Sequence, residues 1–194
     1  MSIEFDRVYF DIETYSPGER PQFTNTIIAV GLTELDGRLT LLRSWQKTEK
    51  EVLDEFYGRL KNLVEMRPRR RLVGHNVLGF DLPLFIARAQ AYELDKTEDI
   101  IEVVYRQEVI DLLQCLLPYN GFRYKGLNAE RLSRIFDLTP IEYTGKDISK
   151  LYENKDYEAI EKHLTSDLKF IIDLHEKLAK ISANELRAKL SGPL

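Results

Sequence analysis

The side chains that could do chemistry together stand in three separated segments. Asp11 and Glu13 lie in YFDIET (9–14), Asp81 in GHNVLGFDLPLF (74–85), and His163 and Asp167 in HLTSDLKFII (163–172). Asp and Glu are poor strand formers, yet Asp11 and Glu13 interrupt an apolar run. Residues two apart share one face of a strand, so two carboxylates crowd one side of it. Like charges held together are costly unless something positive lies between them. A divalent cation is the simplest answer, because Mg²⁺ prefers oxygen ligands and binds through carboxylates, waters and substrate phosphates. Two such ions about 4 Å apart clamp a phosphoryl group in transfer, stabilising the attacking and the leaving oxygens.

The elements that must position these groups follow from periodicity and punctuation. RVYFDI (7–12) predicts a buried strand and TIIAVGLTE (26–34) a second. LDG (35–37) is a hairpin turn signal leading into a third strand, RLTLLRSW (38–45). Thr48 is placed to cap a helix to about Met66, with Val52, Phe56, Leu60 and Leu63 on one stripe and Pro68 ending it. RRLVGHN (70–76) predicts a short central strand, with a helix over about 82–92 whose Pro83 lies near its first turn. EVIDLL (108–113) reads as a fifth strand, and helices over about 127–136 and 156–190 complete the chain. This order predicts the α/β class, a mixed five-stranded sheet flanked by helices. Asp81 then sits just past the fourth strand at a helix entrance. Asp167 projects about 60–80° from the apolar stripe Ile160, Leu164, Leu168 of the last helix.

At 194 residues the expectation is a single domain, 1–194. Hydrophobic content of 43% and charged content of 31% describe an ordinary soluble protein, with no apolar run long enough for a membrane span. The N-terminus lacks the pattern of a signal peptide, and Cys115 is the sole cysteine, which leaves no intrachain disulfide or Cys-based metal site. A cytoplasmic location is the resulting expectation. A net charge of −4 excludes the bulk electrostatics of a tight, non-specific nucleic-acid binder, so nucleic-acid contact would be local or mediated by metal ions.

On these motifs the sequence resembles the DEDD class of 3′–5′ exonucleases, which share an RNase H-like fold. DIET (11–14) is similar to the first exonuclease motif and Asn76–Asp81 to the second. The asparagine, short spacer and FDLP look most like the proofreading domain of family-B DNA polymerases. Asp167 and the residue four before it are similar to the third motif, and the resemblance spans residues 7 to about 175. In one subclass a tyrosine precedes the last aspartate by four residues; in the other, a histidine by five. Here His163 stands four before Asp167 and Lys162 five before, so the spacing is that of the tyrosine subclass with a histidine in its place. With an ordinary pKa of ~6.5, His163 suits either accepting a proton from the attacking water or orienting that water. The resemblance implies two divalent ions, Mg²⁺ or Mn²⁺. Asp11 would bridge them, Glu13 and Asp167 would complete the first, and Asp81 would hold the second. It implies hydrolysis from single-stranded DNA or RNA 3′ ends to nucleoside 5′-monophosphates, DNA favoured, by a stand-alone nuclease. Two alternatives stand beside it. One is a non-catalytic module on a nuclease fold that binds nucleic acid or a replication partner, which the intact four carboxylates oppose. The other is an RNase H-like endonuclease, which needs an open groove.

Substrate contacts are expected from Asn76, whose other reading is a turn, and from Phe80, either stacked on a terminal base or packed in the core. Asp81 has its own alternative as a helix N-cap. Tyr15, Ser16 and Phe23 follow the first strand beside the carboxylates, and Arg123, Lys125 and Lys146 flank loops that could line a groove. His75 reads as structural rather than as a metal ligand, and His175 as surface or packing. The run Arg67, Arg69, Arg70, Arg71 opens the fourth strand, roughly 17–20 Å from its catalytic end, and reads as a solvated edge.

Overall fold

The computed structural model describes residues 7–17, 24–33, 37–66, 70–138 and 145–192, without the side chains of residues 66, 145 and 146. Phe23, residues 35–36 of the LDG turn, Arg67, Pro68, Arg69 and the Lys146 side chain lie outside them.

The expected α/β architecture holds. Strands β1 (Arg7–Tyr15), β2 (Thr26–Thr33) and β3 (Leu39–Arg43) pair antiparallel, while β4 (Arg71–Gly74) and β5 (Glu108–Asp111) add parallel on the other side of β1. The sheet order is β3-β2-β1-β4-β5. The helices are α1 (Glu49–Met66), α2 (Asp81–Ala91), α3 (Thr97–Tyr105), α4 (Leu112–Leu116), α5 (Ala129–Phe136), α6 (Gly145–Glu153), α7 (Tyr157–Leu178) and α8 (Ala183–Leu190), with a 3-10 turn over Leu117–Asn120.

Alternation along β1 divides the core. Val8, Phe10 and Ile12 point to one face and join α1, α2 and α3, where Phe10, Phe56 and Phe85 are fully buried. Each such side chain contributes roughly 1.5–3 kcal/mol. Tyr9 packs with the other layer, built from α4, α5, α7 and α8 around Val73, Phe136 and Phe170. Asp11 and Glu13 share the parity of Tyr9 and so face this second layer. A helix cap and a buried carboxylate fix the first. Thr48 and Glu51 exchange bonds, Thr48 N–H to Glu51 at 2.7 Å and Glu51 N–H to Thr48 Oγ1 at 3.3 Å, a capping box that starts α1. The buried Glu49 accepts from Ile27 N–H (2.8 Å), Arg88 (2.8 and 2.6 Å) and Tyr92 Oη (2.9 Å), tying β2 and α2 to α1.

The structure differs from the sequence expectations at several points. The single helix expected over 156–190 is two, because Ser182 accepts Glu185 N–H at 3.3 Å and starts α8 afresh, turning Leu186 and Leu190 into the second core. The fifth strand stops at Asp111, whose side chain caps α4 in place of continued pairing. Helices α3, α4 and α6 are not among the expected elements. Of the basic run, the described residues are Arg70, which is buried, and Arg71, whose Nε pairs with Glu108 at 2.9 Å.

Candidate active site

Asp11 stands in register with Gly31 of β2, and Glu13 with Ala29. A Cβ on Gly31 would lie 2.8 Å from Leu168 Cδ1 and 2.9 Å from Leu164 Cγ. The missing side chain therefore lets α7 lie directly on the sheet, which brings the neighbours of those leucines, His163 and Asp167, down beside β1. His163 Nε2 lies 3.4 Å from Glu13 Oε1 and 3.3 Å from Asp167 Oδ2.

Asp81 arrives from the opposite side. The last β1 residue paired with β4 is Tyr9, so β1 runs on past its parallel partner. Asp81 Oδ1 accepts the Ile12 N–H there at 3.2 Å. The N-cap of α2 is Phe80, with no side-chain cap bond, so Asp81 is not the helix cap that its position allowed. The chain reaches Asp81 through a turn in which Asn76 is left-handed (φ 65°) and its carbonyl accepts from Gly79 and Phe80 N–H, each at 3.0 Å. The result is a cleft of about 560 Å³ holding Asp11, Glu13, Asp81, His163 and Asp167, walled by Asn76, Phe80 and Tyr124. It opens at the carboxyl ends of parallel strands, the usual ligand position in open α/β sheets.

A family model described as the RNase_H superfamily matches residues 8–179. The chain belongs to the RNase_H superfamily. No curated protein matches it. Among solved structures it is similar to the family B DNA polymerase from the hyperthermophilic archaeon Pyrobaculum calidifontis, with a TM-score of 0.67 and 18% identity. That match covers 96% of this chain and 27% of the polymerase, so the chain spans about a quarter of that protein's length. At this identity the likeness bears on the fold alone, and it agrees with an RNase H-like sheet. Membership in the superfamily suggests nucleic-acid processing as the class of function, and no helix among the described residues is long and apolar enough to cross a membrane.

The electrostatics of this RNase_H-superfamily cleft are those of crowded, buried acids. Burial pushes the Asp11 carboxyl up to about 7, with the Ile12 backbone N–H drawing it partly back. Burial, then the charge of Asp11, pushes Asp167 up to about 8. Glu13 is raised well above its ordinary value by burial and by Asp11, Asp167 and Asp81, and Asp81 likewise by burial and Asp11. Two adjacent carboxylates would ordinarily raise a histidine's pKa. Here those carboxyls tend to keep their protons, so burial governs His163 and lowers it to about 4, against a partial upward pull from Asp147. His163 is therefore a neutral imidazole at pH 7.

These residues fit a divalent cation. Glu13 Oε1 and Asp167 Oδ1 are buried without a hydrogen-bond partner, an arrangement that costs free energy unless a ligand supplies what is missing. One ligand atom each from Glu13, His163 and Asp167 lie within 4.8 Å of one another. His163 thus stands among the possible ligands themselves, a role beyond the two expected from sequence.

The substrate residues divide. Asn76 and Phe80 line the cleft, and Phe80 also packs against the first core. Tyr15 is not a cleft residue. Its hydroxyl donates to Glu153 at 3.0 Å and its ring lies 5.3 Å from Tyr152, because the β-bulge after Glu13 turns the strand end toward α6. Ser16 N–H is bound by Ser149 Oγ at 2.9 Å. Arg123 and Lys125 are exposed but do not line the cleft; Tyr124 between them does. His75 packs edge-on to Phe170 and also lines the cleft, its Nε2 buried without a hydrogen-bond partner among the described residues, and His175 bonds Tyr9 Oη at 3.0 Å.

Sequence reasoning missed Asp111. This buried carboxylate accepts N–H bonds from Asn76 (2.9 Å), Leu78 (3.0 Å), Leu113 (2.9 Å) and Gln114 (3.3 Å), fixing the turn that leads to Asp81. An aspartate directly before the apolar run LLQCLL was the available signal for a cap.

Proposed function

We propose that the chain is a metal-dependent 3′–5′ exonuclease, one domain over 1–194, acting on single-stranded nucleic-acid ends and favouring DNA. The observation that carries this reading is the convergence of Asp11, Glu13, Asp81 and Asp167, from three separate elements, on one cleft with unpartnered buried oxygens. The superfamily supports the nuclease class, and the FDLP-type second motif supports the exonuclease within it.

In this reading the four carboxylates hold two Mg²⁺ or Mn²⁺ ions, with His163 beside Glu13 and Asp167. Such ions supply Lewis-acid polarisation of the phosphate and stabilise its developing charge. The chain's own residues do the rest. His163, neutral at pH 7, has a ring nitrogen able to take a proton from the attacking water or to orient it. Asp81 stays aimed into the cleft because the Ile12 N–H and the turn held by Asp111 leave it little freedom. Asn76 and Phe80 position the terminal nucleotide. Water adds to phosphorus, the bond to the 3′ oxygen breaks, that oxygen takes up a proton, and a nucleoside 5′-monophosphate leaves.

The test is a 5′-labelled single-stranded DNA oligonucleotide and its RNA counterpart, incubated with Mg²⁺, Mn²⁺ or EDTA beside Asp11→Ala. The expected result is a ladder shortening from the 3′ end, abolished by EDTA and by the substitution, with DNA the faster substrate. Binding without cleavage under either metal would overturn the reading in favour of a non-catalytic module; internal cuts would favour an endonuclease.

A further inference from the structure

We infer that Tyr124 stacks on a nucleobase of single-stranded nucleic acid entering the cleft, which makes the 121–127 loop a built base-binding platform. The inference rests on the nucleic-acid reading above and adds the residue that grips the substrate.

Tyr124 is 60% exposed, yet its side chain forms part of the wall of the carboxylate cleft. A lone exposed aromatic needs no explanation by itself. This one stands on a backbone that the fold goes to some length to hold. Gly121 (φ 62°), Phe122 (φ 56°) and Gly126 (φ 90°) are all left-handed, and for a phenylalanine that conformation is unfavourable. Buried polar side chains hold the loop from beneath. The Asn120 amide donates to the Arg123 carbonyl and, at 3.2 Å, to that of Lys125. Arg131, 7% exposed, donates to the Gly126 carbonyl at 2.8 Å and to the Leu190 and Gly192 carbonyls at 3.3 and 3.0 Å. Leu127, wholly buried, returns its N–H to the Tyr124 carbonyl at 3.1 Å. Strained residues clamped by buried donors cluster at functional sites. Of the two exposed rings on this loop, Phe122 (73% exposed) does not line the cleft and Tyr124 does, its hydroxyl bonded to none of the described residues.

The chemistry selects the ligand. A floor of carboxylates in a chain of net charge −4 repels a phosphate backbone. Affinity must come from contacts that do not depend on bulk charge, and stacking between an aromatic ring and a base is such a contact, open to every base. The exposed Arg123 and Lys125 on either side of Tyr124 suit the flanking phosphates.

The experiment is fluorescence anisotropy of labelled single-stranded DNA and RNA oligonucleotides, with Ca²⁺ replacing Mg²⁺ so that binding is read without turnover. Wild type, Tyr124→Ser and Tyr124→Phe are compared on intact oligonucleotides and on versions abasic at each of the last three positions. Tyr124→Ser is expected to weaken binding by about 5- to 100-fold, the scale of one base–aromatic stack. Tyr124→Phe keeps the ring and should stay close to wild type. At one abasic position the wild type should lose the same factor while Tyr124→Ser loses nothing further, a coupling that mere loosening of the loop would not produce. Equal responses of wild type and Tyr124→Ser at all three positions overturn the inference, as does a Tyr124→Phe variant as weak as Tyr124→Ser. If wild type binds and trims these ends while Tyr124→Ser matches it, only the stacking role falls. If wild type binds neither nucleic acid, the functional reading falls and the stacking role with it.

Discussion

Replacing Asp167 by asparagine should remove part of a loss of stability that the wild type suffers above neutral pH. In the folded chain the Asp167 carboxyl is held up to about 8, from an ordinary 3.8, by burial and then by the charge of Asp11. The folded state therefore grips the proton more tightly than the unfolded chain. That contribution is fully present below the unfolded value and is lost as pH rises through the folded one. Histidines oppose this trend at lower pH. His163 is lowered to about 4, and His75 and His175 are lowered too, so their contribution grows with pH until about 6.5, the ordinary histidine value. Between about pH 6.5 and 8.5 the carboxyls dominate. Asp167 traverses about 1.5 pH units of that window before its folded value, which at about 1.4 kcal/mol per unit is about 2 kcal/mol. Its side chain is 21% exposed, so solvent screening trims this and about 2 kcal/mol is a ceiling. A domain of this size moves about 2–4 °C per kcal/mol, giving a fall of roughly 4–8 °C in Tm. The assay is thermal unfolding in EDTA at half-unit pH steps. Wild type should lose stability across the window, and Asp167→Asn should fall less steeply, by at most about 2 kcal/mol, because Asp11, Glu13 and Asp81 are raised as well and still titrate. Adding Mg²⁺ or Mn²⁺ should restore wild type at pH 8.5 and do little at pH 6, because the ions bind ionised carboxylates. A wild-type Tm that holds or rises to pH 8.5 without metal, or an Asp167→Asn curve that falls in parallel with it, would refute the reasoning.

Other substitutions test the frame. Gly31→Val drives a side chain into Leu164 and Leu168 and should cost about 1–3 kcal/mol in urea unfolding, with cleavage reduced as α7 lifts from the sheet. Asp111→Ala strips the partner from the N–H groups of Asn76, Leu78, Leu113 and Gln114 and should cost about 3 kcal/mol or more, with Asp111→Asn losing less. His163→Gln should lower kcat by about 10²-fold or more if the imidazole takes the proton, read from single-turnover rates with saturating metal.

The strongest sequence signals were those set by local physics. The two-residue period of β1 put Asp11 and Glu13 on the face opposite Phe10 and Ile12, and the Thr48–Glu51 spacing marked the start of α1. What escaped depended on contacts distant in sequence. Asp111 looked like one more strand residue because the turn it clamps lies more than thirty residues earlier. Tyr15 was expected in the cleft from its nearness to Glu13, but a bulge and α6 turned it away. The break between α7 and α8 has no glycine or proline to announce it; only the Ser182–Glu185 spacing does, inside a pattern that reads as continuous helix. For substrate residues, charge in the sequence pointed to Arg123 and Lys125, whereas the backbone around Gly121 and Gly126 decides that the ring between them faces the cleft.

The site's internal conflict is also the argument for its use. The four carboxyls are raised by burial and by one another. What draws Asp11 and Asp81 back is backbone N–H, and among the described residues no lysine or arginine figures in that balance. A fold seeking only stability would place apolar side chains at these positions, since buried like charges oppose folding. Instead the chain holds the acids rigidly, with a glycine under α7, a carboxylate clamping the approach turn, and an ion-paired Glu49 fixing α2. Rigid placement of mutually repelling oxygens is useful only to something that binds all of them at once. In the proposed reading a pair of divalent cations would do so, and the phosphate they attract would bring a base toward Tyr124. Charge neutralisation at the floor and stacking at the wall are then two halves of one recognition, so loss of metal should weaken oligonucleotide binding even where the Tyr124 ring is intact.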